Sequence, residues 1–127
     1  MSRAVFETRF FIYFFSSTDL NVHSQLMELM RRYDRRLVSA ITLFEVYRIS
    51  LEREGKETAE VRISRIMSEF SLIPVDDTIA VRGAQLKHTA KVQTGEDIPM
   101  ADCLIAATSE INRAVCMTDS PHFKNIP

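Results

Sequence analysis

Short apolar runs alternate along this chain with longer stretches in which apolar residues recur at helical spacing. The short runs predict strands at 3–6, up to Val38, at 71–77, and from 113 to Thr118 and Asp119. The longer stretches predict helices at 10–15, 21–36, 40–54, 58–70, 78–93 and 99–111. Strands that alternate with helices favour an α/β fold, in which a short, mainly parallel central sheet is flanked by helices on both faces.

Residues that cap helices mark several of these boundaries. Ser39 stands where an N-cap belongs, and Gly55 stands where a C-cap belongs. Pro99 suits the first turn of the helix that runs to Ile111.

The composition is that of a compact chain. Of the 127 residues, 46% are hydrophobic, which is enough for one continuous core. Three glycines, four prolines and no repeat predict one domain over 1–127 without long linkers. The formal net charge is -1 and the charges are spread along the chain, so any contact with nucleic acid must be local.

The two cysteines and the N-terminal apolar block bear on the compartment. Cys103 and Cys116 lie in apolar segments without metal-ligand spacing, so we expect buried thiols and a cytoplasmic protein. Residues 4–15 are interrupted by Glu7 and Arg9 and are too short to span a bilayer. We therefore expect neither a signal peptide nor a membrane anchor.

Four acids fall at the ends of apolar elements. Glu7 and Asp119 each follow a predicted strand, and the carboxyl ends of parallel strands meet at one edge of a sheet, where open α/β folds bind ligands. Glu45 lies on an otherwise apolar side of its helix, and Asp102 lies one turn into a helix of small and apolar residues. Taken singly, each has an ordinary explanation as a strand-end acid, an ion-pair partner, a first-turn acid or a turn residue.

Acids that converge on one site repel one another unless a cation neutralises them. Oxygen ligands favour a hard ion, and Mg²⁺ or Mn²⁺ is commonly held by a few carboxylates together with substrate phosphate oxygens. That combination predicts phosphodiester hydrolysis.

The segments that carry these acids have a familiar order. The stretches "VFETRFFIYFF", "SAITLFEVYRI", "DIPMADCLIAATSEI" and "AVCMTDSPHFKNI" together resemble the PIN domain family, most closely its VapC-like toxins of toxin–antitoxin pairs. The resemblance covers essentially the whole chain and implies a single PIN-like domain. It also implies a ribonuclease dependent on Mg²⁺ or Mn²⁺, an RNA substrate, a small antitoxin partner that occupies a groove beside the active site, and a homodimer.

The resemblance also implies roles for individual residues. The metal-binding and catalytic acids would be Glu7, Glu45, Asp102 and Asp119. The substrate-binding residues would be Thr8, Arg9, Thr118 and Ser120.

The chain departs from the family pattern at three positions. Glu7 stands where the family has Asp, and Arg9 stands where a small or polar residue is usual. Relatives often place the fourth acid one residue later than Asp119, where this chain has Ser120. These departures leave open a degenerate PIN domain that binds RNA or a protein partner without cutting.

A different α/β class, such as a phosphatase or a phosphoryl-accepting receiver, is a further alternative. It has little support because we find no convincing Lys after a final strand to balance an acyl phosphate.

A basic cluster is the strongest cationic feature. It could meet RNA phosphates or an acidic antitoxin segment, although such a run is more often a solvated helix end. Its members are Arg31, Arg32, Arg35 and Arg36.

Overall fold

The computed structural model describes residues 2–118, and these form a four-stranded parallel sheet with helices on both faces. The strands are β1 (Arg3–Phe6), β2 (Arg35–Ser39), β3 (Ser71–Ile73) and β4 (Val115–Met117), in the order β3-β2-β1-β4. Every pairing in the sheet is parallel. The predicted α/β fold with a short parallel sheet is confirmed.

Two helices follow each of the first three strands. They are α1 (Thr8–Ser16), α2 (Leu20–Arg31), α3 (Ala40–Glu54), α4 (Lys56–Glu69), α5 (Asp77–Thr94) and α6 (Met100–Ile111). Because side chains alternate along a strand, Ala4 and Phe6 face the core built by α1–α4, whereas Val5 faces Ile105 of α6 on the other side.

The block "FFIYFF" forms most of α1 and supplies the larger core. Phe10 and Phe11 are buried, and Phe6 lies edge-on to Phe10 with ring centroids 4.8 Å apart. Phe70, at the end of α4, lies 5.3 Å from Phe6 and 5.0 Å from Phe11. The aromatic rings therefore join α1 and α4 to the sheet by burial of their apolar area.

Both predicted caps of α3 are present. The Ser39 side chain accepts a hydrogen bond from the Ile41 backbone N–H at 3.2 Å. Gly55 ends the helix with φ +95°, a backbone conformation that side chains of L-residues rarely adopt. The same residue precedes α4, which begins at Lys56, two residues earlier than predicted.

The predicted helix at 21–36 is wrong in its last turn, because α2 ends at Arg31. Arg35 pairs with Arg3 in the sheet, and its N–H donates to the Ser2 carbonyl at 3.0 Å. The guanidinium of Arg36 donates to the carbonyls of Met30 and Glu69, near the ends of α2 and α4. The basic cluster is thus divided between a helix end and a strand.

Several other boundaries differ from the prediction, and the last strand, Val115–Met117, begins two residues later than predicted. The third strand ends at Ile73 because Pro74 has no N–H to donate to a neighbouring strand. Helix α1 begins at Thr8, with only Glu7 between it and β1, and Pro99 precedes the first residue of α6. Within the described residues, no helix combines the length and the apolar character that crossing a membrane requires.

Candidate functional site

The sheet topology brings two helix ends to one edge. Strand β1 is central, with β2 on one side and β4 on the other, so a crevice is expected at the carboxyl ends of β1 and β4. Helices α1 and α3 begin at this edge because they follow β1 and β2. The positive ends of these two helix dipoles therefore favour acidic side chains at this edge.

Glu7 and Thr118 leave the sheet side by side. Phe6 pairs with Met117 in the parallel register, and Glu7 and Thr118 are the next residues of their strands. Glu7 is 4% exposed and occupies the N-cap position of α1, although its side chain makes no capping hydrogen bond. Its carboxylate therefore does not cap the start of the helix, unlike the shorter side chains that usually stand at this position.

Thr8 connects this edge to α3. Its hydroxyl donates to Oε1 of Glu45 across 2.6 Å, which brings two of the predicted site residues into direct contact. The neighbouring Arg9 is exposed, and its guanidinium donates to the hydroxyl of Tyr13 at 3.3 Å.

Asp102 lies in the first turn of α6 and is half-buried. The loop before this helix is fixed by Lys87, whose ammonium donates to the Ile98 carbonyl and to Oδ1 of Asp97, the latter at 2.8 Å. Lys87 holds the pKa of Asp97 below its ordinary value. Ile98 is fully buried against Ala90 and Cys103. Sequence reasoning missed Lys87 because nothing in the sequence pairs it with a loop ten residues later.

Two of the acids influence the pKa of the Cys116 thiol. Burial raises the pKa of Cys116 to about 11, and the negative charges of Glu7 and Asp102 act in the same direction. Both carboxylates therefore lie close enough to β4 to influence one group on it. Cys103 and Cys116 are both free thiols, the first buried and the second half-buried.

A cavity of about 210 Å³ opens next to Glu7. Its apolar walls come from α1, α2 and β4, and Thr118 stands beside Glu7 on its polar side. Among residues 2–118, its lining is formed by Glu7, Phe10, Leu26, Leu29, Met117 and Thr118.

The donor set suits a hard divalent cation, since the acids offer only oxygen atoms. Within residues 2–118, no group of three or more His, Cys, Asp or Glu side chains is arranged to hold a metal ion. Mg²⁺ needs only one or two carboxylates when waters and phosphate oxygens complete its shell, so the acids present fit such an ion. Asp119 and Ser120 lie outside the described residues, and the predicted convergence of four acids stays a prediction.

Comparison with solved structures finds the same fold in toxin–antitoxin proteins. The first is VapBC2 from Rickettsia felis bound to a DNA fragment from its promoter, with 22% identity and TM-score 0.80 over 98% of this chain and 93% of that one. DNA-bound VapBC from Salmonella typhimurium has 17% identity and a TM-score of 0.78, and the match covers 100% of this chain and 94% of that one. Mycobacterium tuberculosis VapC20, a sarcin-ricin loop cleaving toxin, has 13% identity and a TM-score of 0.73, and the match covers 95% of this chain and 92% of that one.

Comparison with curated proteins gave no match. The family model of the PIN domain matches residues 4–127, nearly the whole chain. Its match agrees with the four-stranded parallel sheet in the order β3-β2-β1-β4. The chain belongs to the PIN domain family.

Proposed function

We propose that this protein is a metal-dependent RNA endonuclease and the toxin of a toxin–antitoxin pair. The observation that supports this most is the position of Glu7 next to Thr118 at the ends of β1 and β4, at the edge where Thr8 also contacts Glu45. Membership of the PIN family and the likeness to VapC toxins agree with it. Cleavage of the sarcin-ricin loop by VapC20 makes RNA the substrate to test first.

Each acid would have its own role in binding the cation at the carboxyl edge of the sheet. Glu7, Asp102 and Asp119 would hold Mg²⁺ or Mn²⁺, and Glu45 would complete the ligand set from α3. The bound cation would supply an activated water and stabilise charge on the scissile phosphate. Arg9, Thr118 and Ser120 would contact the RNA. The start of α6 would offset the negative charge of Asp102 while the site is metal-free.

The antitoxin would inhibit the enzyme by covering the cavity beside Glu7. Its apolar walls, which include Leu26 and Leu29, suit an apolar face of a partner, and the Rickettsia felis and Salmonella typhimurium proteins are both VapBC complexes. We further propose a cytoplasmic homodimer, for which light scattering at micromolar concentration should give twice the mass of 14.6 kDa.

The direct test is RNA cleavage with Mn²⁺ by the wild type and by Asp102→Asn. The variant should fall to the background measured with a chelator, because it loses a charged ligand. Asp77→Asn is the control, since Asp77 is also a first-turn acid, but it lies exposed on α5. Cleavage that persists in Asp102→Asn, or that fails equally in both variants, would contradict the proposal.

The second candidate is a PIN domain that binds RNA without cutting, and the observation that favours it is Glu7 itself. Its longer side chain stands where the family pattern has Asp. An inert wild type that gains Mn²⁺-dependent cleavage on Glu7→Asp would identify this case. A nuclease would keep or increase its activity on the same substitution.

A further inference from the structure

Thr8 occupies the first position of α1, directly after Glu7. Its side chain is almost buried, at 9% exposure, and its hydroxyl donates to Oε1 of Glu45 at 2.6 Å. The two residues are 37 positions apart in the chain, so the hydrogen bond ties the end of β1 to α3. A separation of 2.6 Å is in the range of a charge-assisted bond from a hydroxyl to a carboxylate.

This bond fixes an otherwise flexible acid. A Glu side chain loses considerable rotamer freedom when it is ordered, whereas β-branched Thr has a stiff χ1 and presents its hydroxyl in a set direction. The hydroxyl has a single proton to donate, so it occupies one acceptor site on Glu45. The second oxygen, Oε2, takes no part in this hydrogen bond.

We propose that Thr8 is a positioning residue that holds the Glu45 carboxylate towards the divalent cation of the site. This inference rests on the proposed function and deepens it. Because Glu7 and Thr8 are consecutive, one backbone unit sets the place of the first acid and, through the hydroxyl, of the second. Direct contact with RNA is less compatible with the burial of Thr8 and with the engagement of its proton.

The test compares Thr8→Val, which removes the hydroxyl at nearly constant volume, with Thr8→Ser, which keeps it. Calorimetric titration with Mn²⁺ should show affinity reduced by about 10- to 100-fold in Thr8→Val, the usual effect of losing a group that orients a metal ligand. Thr8→Ser should retain most of the affinity. Thr94→Val is the matched control, because its hydroxyl donates to the Ala90 carbonyl within α5.

Steady-state kinetics on RNA separates positioning from substrate contact. Thr8→Val should lower kcat and leave KM for RNA unchanged. A raised KM with unchanged kcat would place the hydroxyl on the substrate and overturn the proposal.

A metal-free measurement completes the test. Urea unfolding of Thr8→Val, Glu45→Gln and the double variant should be non-additive, because both changes remove the same contact. A wild type that binds Mn²⁺ and cleaves RNA, together with an unaffected Thr8→Val, refutes this role alone. A wild type that does neither refutes the proposed function and this role with it.

Discussion

Thr42 lies fully buried in the first turn of α3, and its hydroxyl has no hydrogen-bond partner within residues 2–118. A buried polar group without a partner costs about 1–3 kcal/mol of desolvation. Thr42→Val keeps the shape and removes that group, so the free energy of unfolding in urea should stay the same or rise by up to about that amount.

Thr108→Val is the matched control for this prediction. Thr108 is equally buried, but its hydroxyl donates to the Leu104 carbonyl at 2.7 Å. Loss of this hydrogen bond in Thr108→Val should lower the free energy of unfolding by about 0.5–1.5 kcal/mol. If Thr42→Val destabilises the protein as much as Thr108→Val, the Thr42 hydroxyl has a partner and the account of it is wrong.

The pKa of Cys116 gives a test of where the acids lie. The pKa of this thiol is raised from 9.0 to about 11, mainly by burial, while a hydrogen bond with Ser109 lowers it and the charges of Glu7 and Asp102 raise it. In a Cys103→Ala background, Asp102→Asn should lower the pKa of Cys116, whereas Asp77→Asn should not. The pKa of Cys116 is measured from the rate of thiol alkylation as a function of pH. Equal pKa values of Cys116 in both variants would place Asp102 away from β4.

The same pKa has a consequence for stability. The folded protein binds the thiol proton more tightly than the unfolded chain, so Cys116 contributes stability that is complete below pH 9. This contribution is lost as the pH rises from 9 towards about 11. Unfolding of Cys116→Ala should lack this part of the alkaline dependence.

Helices α5 and α6 approach each other closely at Gly83. A Cβ on this buried residue would lie 2.9 Å from Cδ2 of Leu104 and 3.5 Å from the Cys103 carbonyl oxygen. Gly83→Val should therefore push α6 outward and lower the free energy of unfolding by about 1–3 kcal/mol. Because α6 carries Asp102, the same variant should also weaken Mn²⁺ binding.

Ala84→Val separates this packing effect from helix propensity. Ala84 is exposed on the same helix, so its replacement should cost no more than about 0.7 kcal/mol. Equal losses of stability in the two variants would show that the contact between α5 and α6 is not close at Gly83.

The sequence predicted elements best where a local signal exists. Ser39 and Gly55 act within their own turns, so their caps could be read directly. Pro74 ends β3 for an equally local reason, although a strand was predicted as far as residue 77. The end of α2 could not be predicted in this way. Arg35 and Arg36 suit a helix by propensity, but pairing with β1 and contacts to carbonyls of α2 and α4 outweigh it.

In the candidate site, too, some features follow from a rule that can be applied to the sequence, and others do not. The neighbouring positions of Glu7 and Thr118 follow from a general rule, because both end parallel strands. The bond between Thr8 and Glu45 and the contact of Lys87 with the loop before α6 join residues distant in sequence. Such contacts depend on how helices pack, and a pattern along one chain does not contain that information.

At the scale of the whole molecule, the proposed function requires that acids at the carboxyl edge of the sheet, among them Glu7 and Asp102, share a divalent cation. Calorimetric titration of Mn²⁺ into the wild type, Asp102→Asn and Asp77→Asn tests it most directly. The account predicts saturable binding in the wild type and Asp77→Asn, and none in Asp102→Asn. Metal-free Asp102→Asn should be as stable as the wild type or slightly more so, since repulsion is removed. Equal binding by all three proteins, or unfolding of metal-free Asp102→Asn, would contradict it.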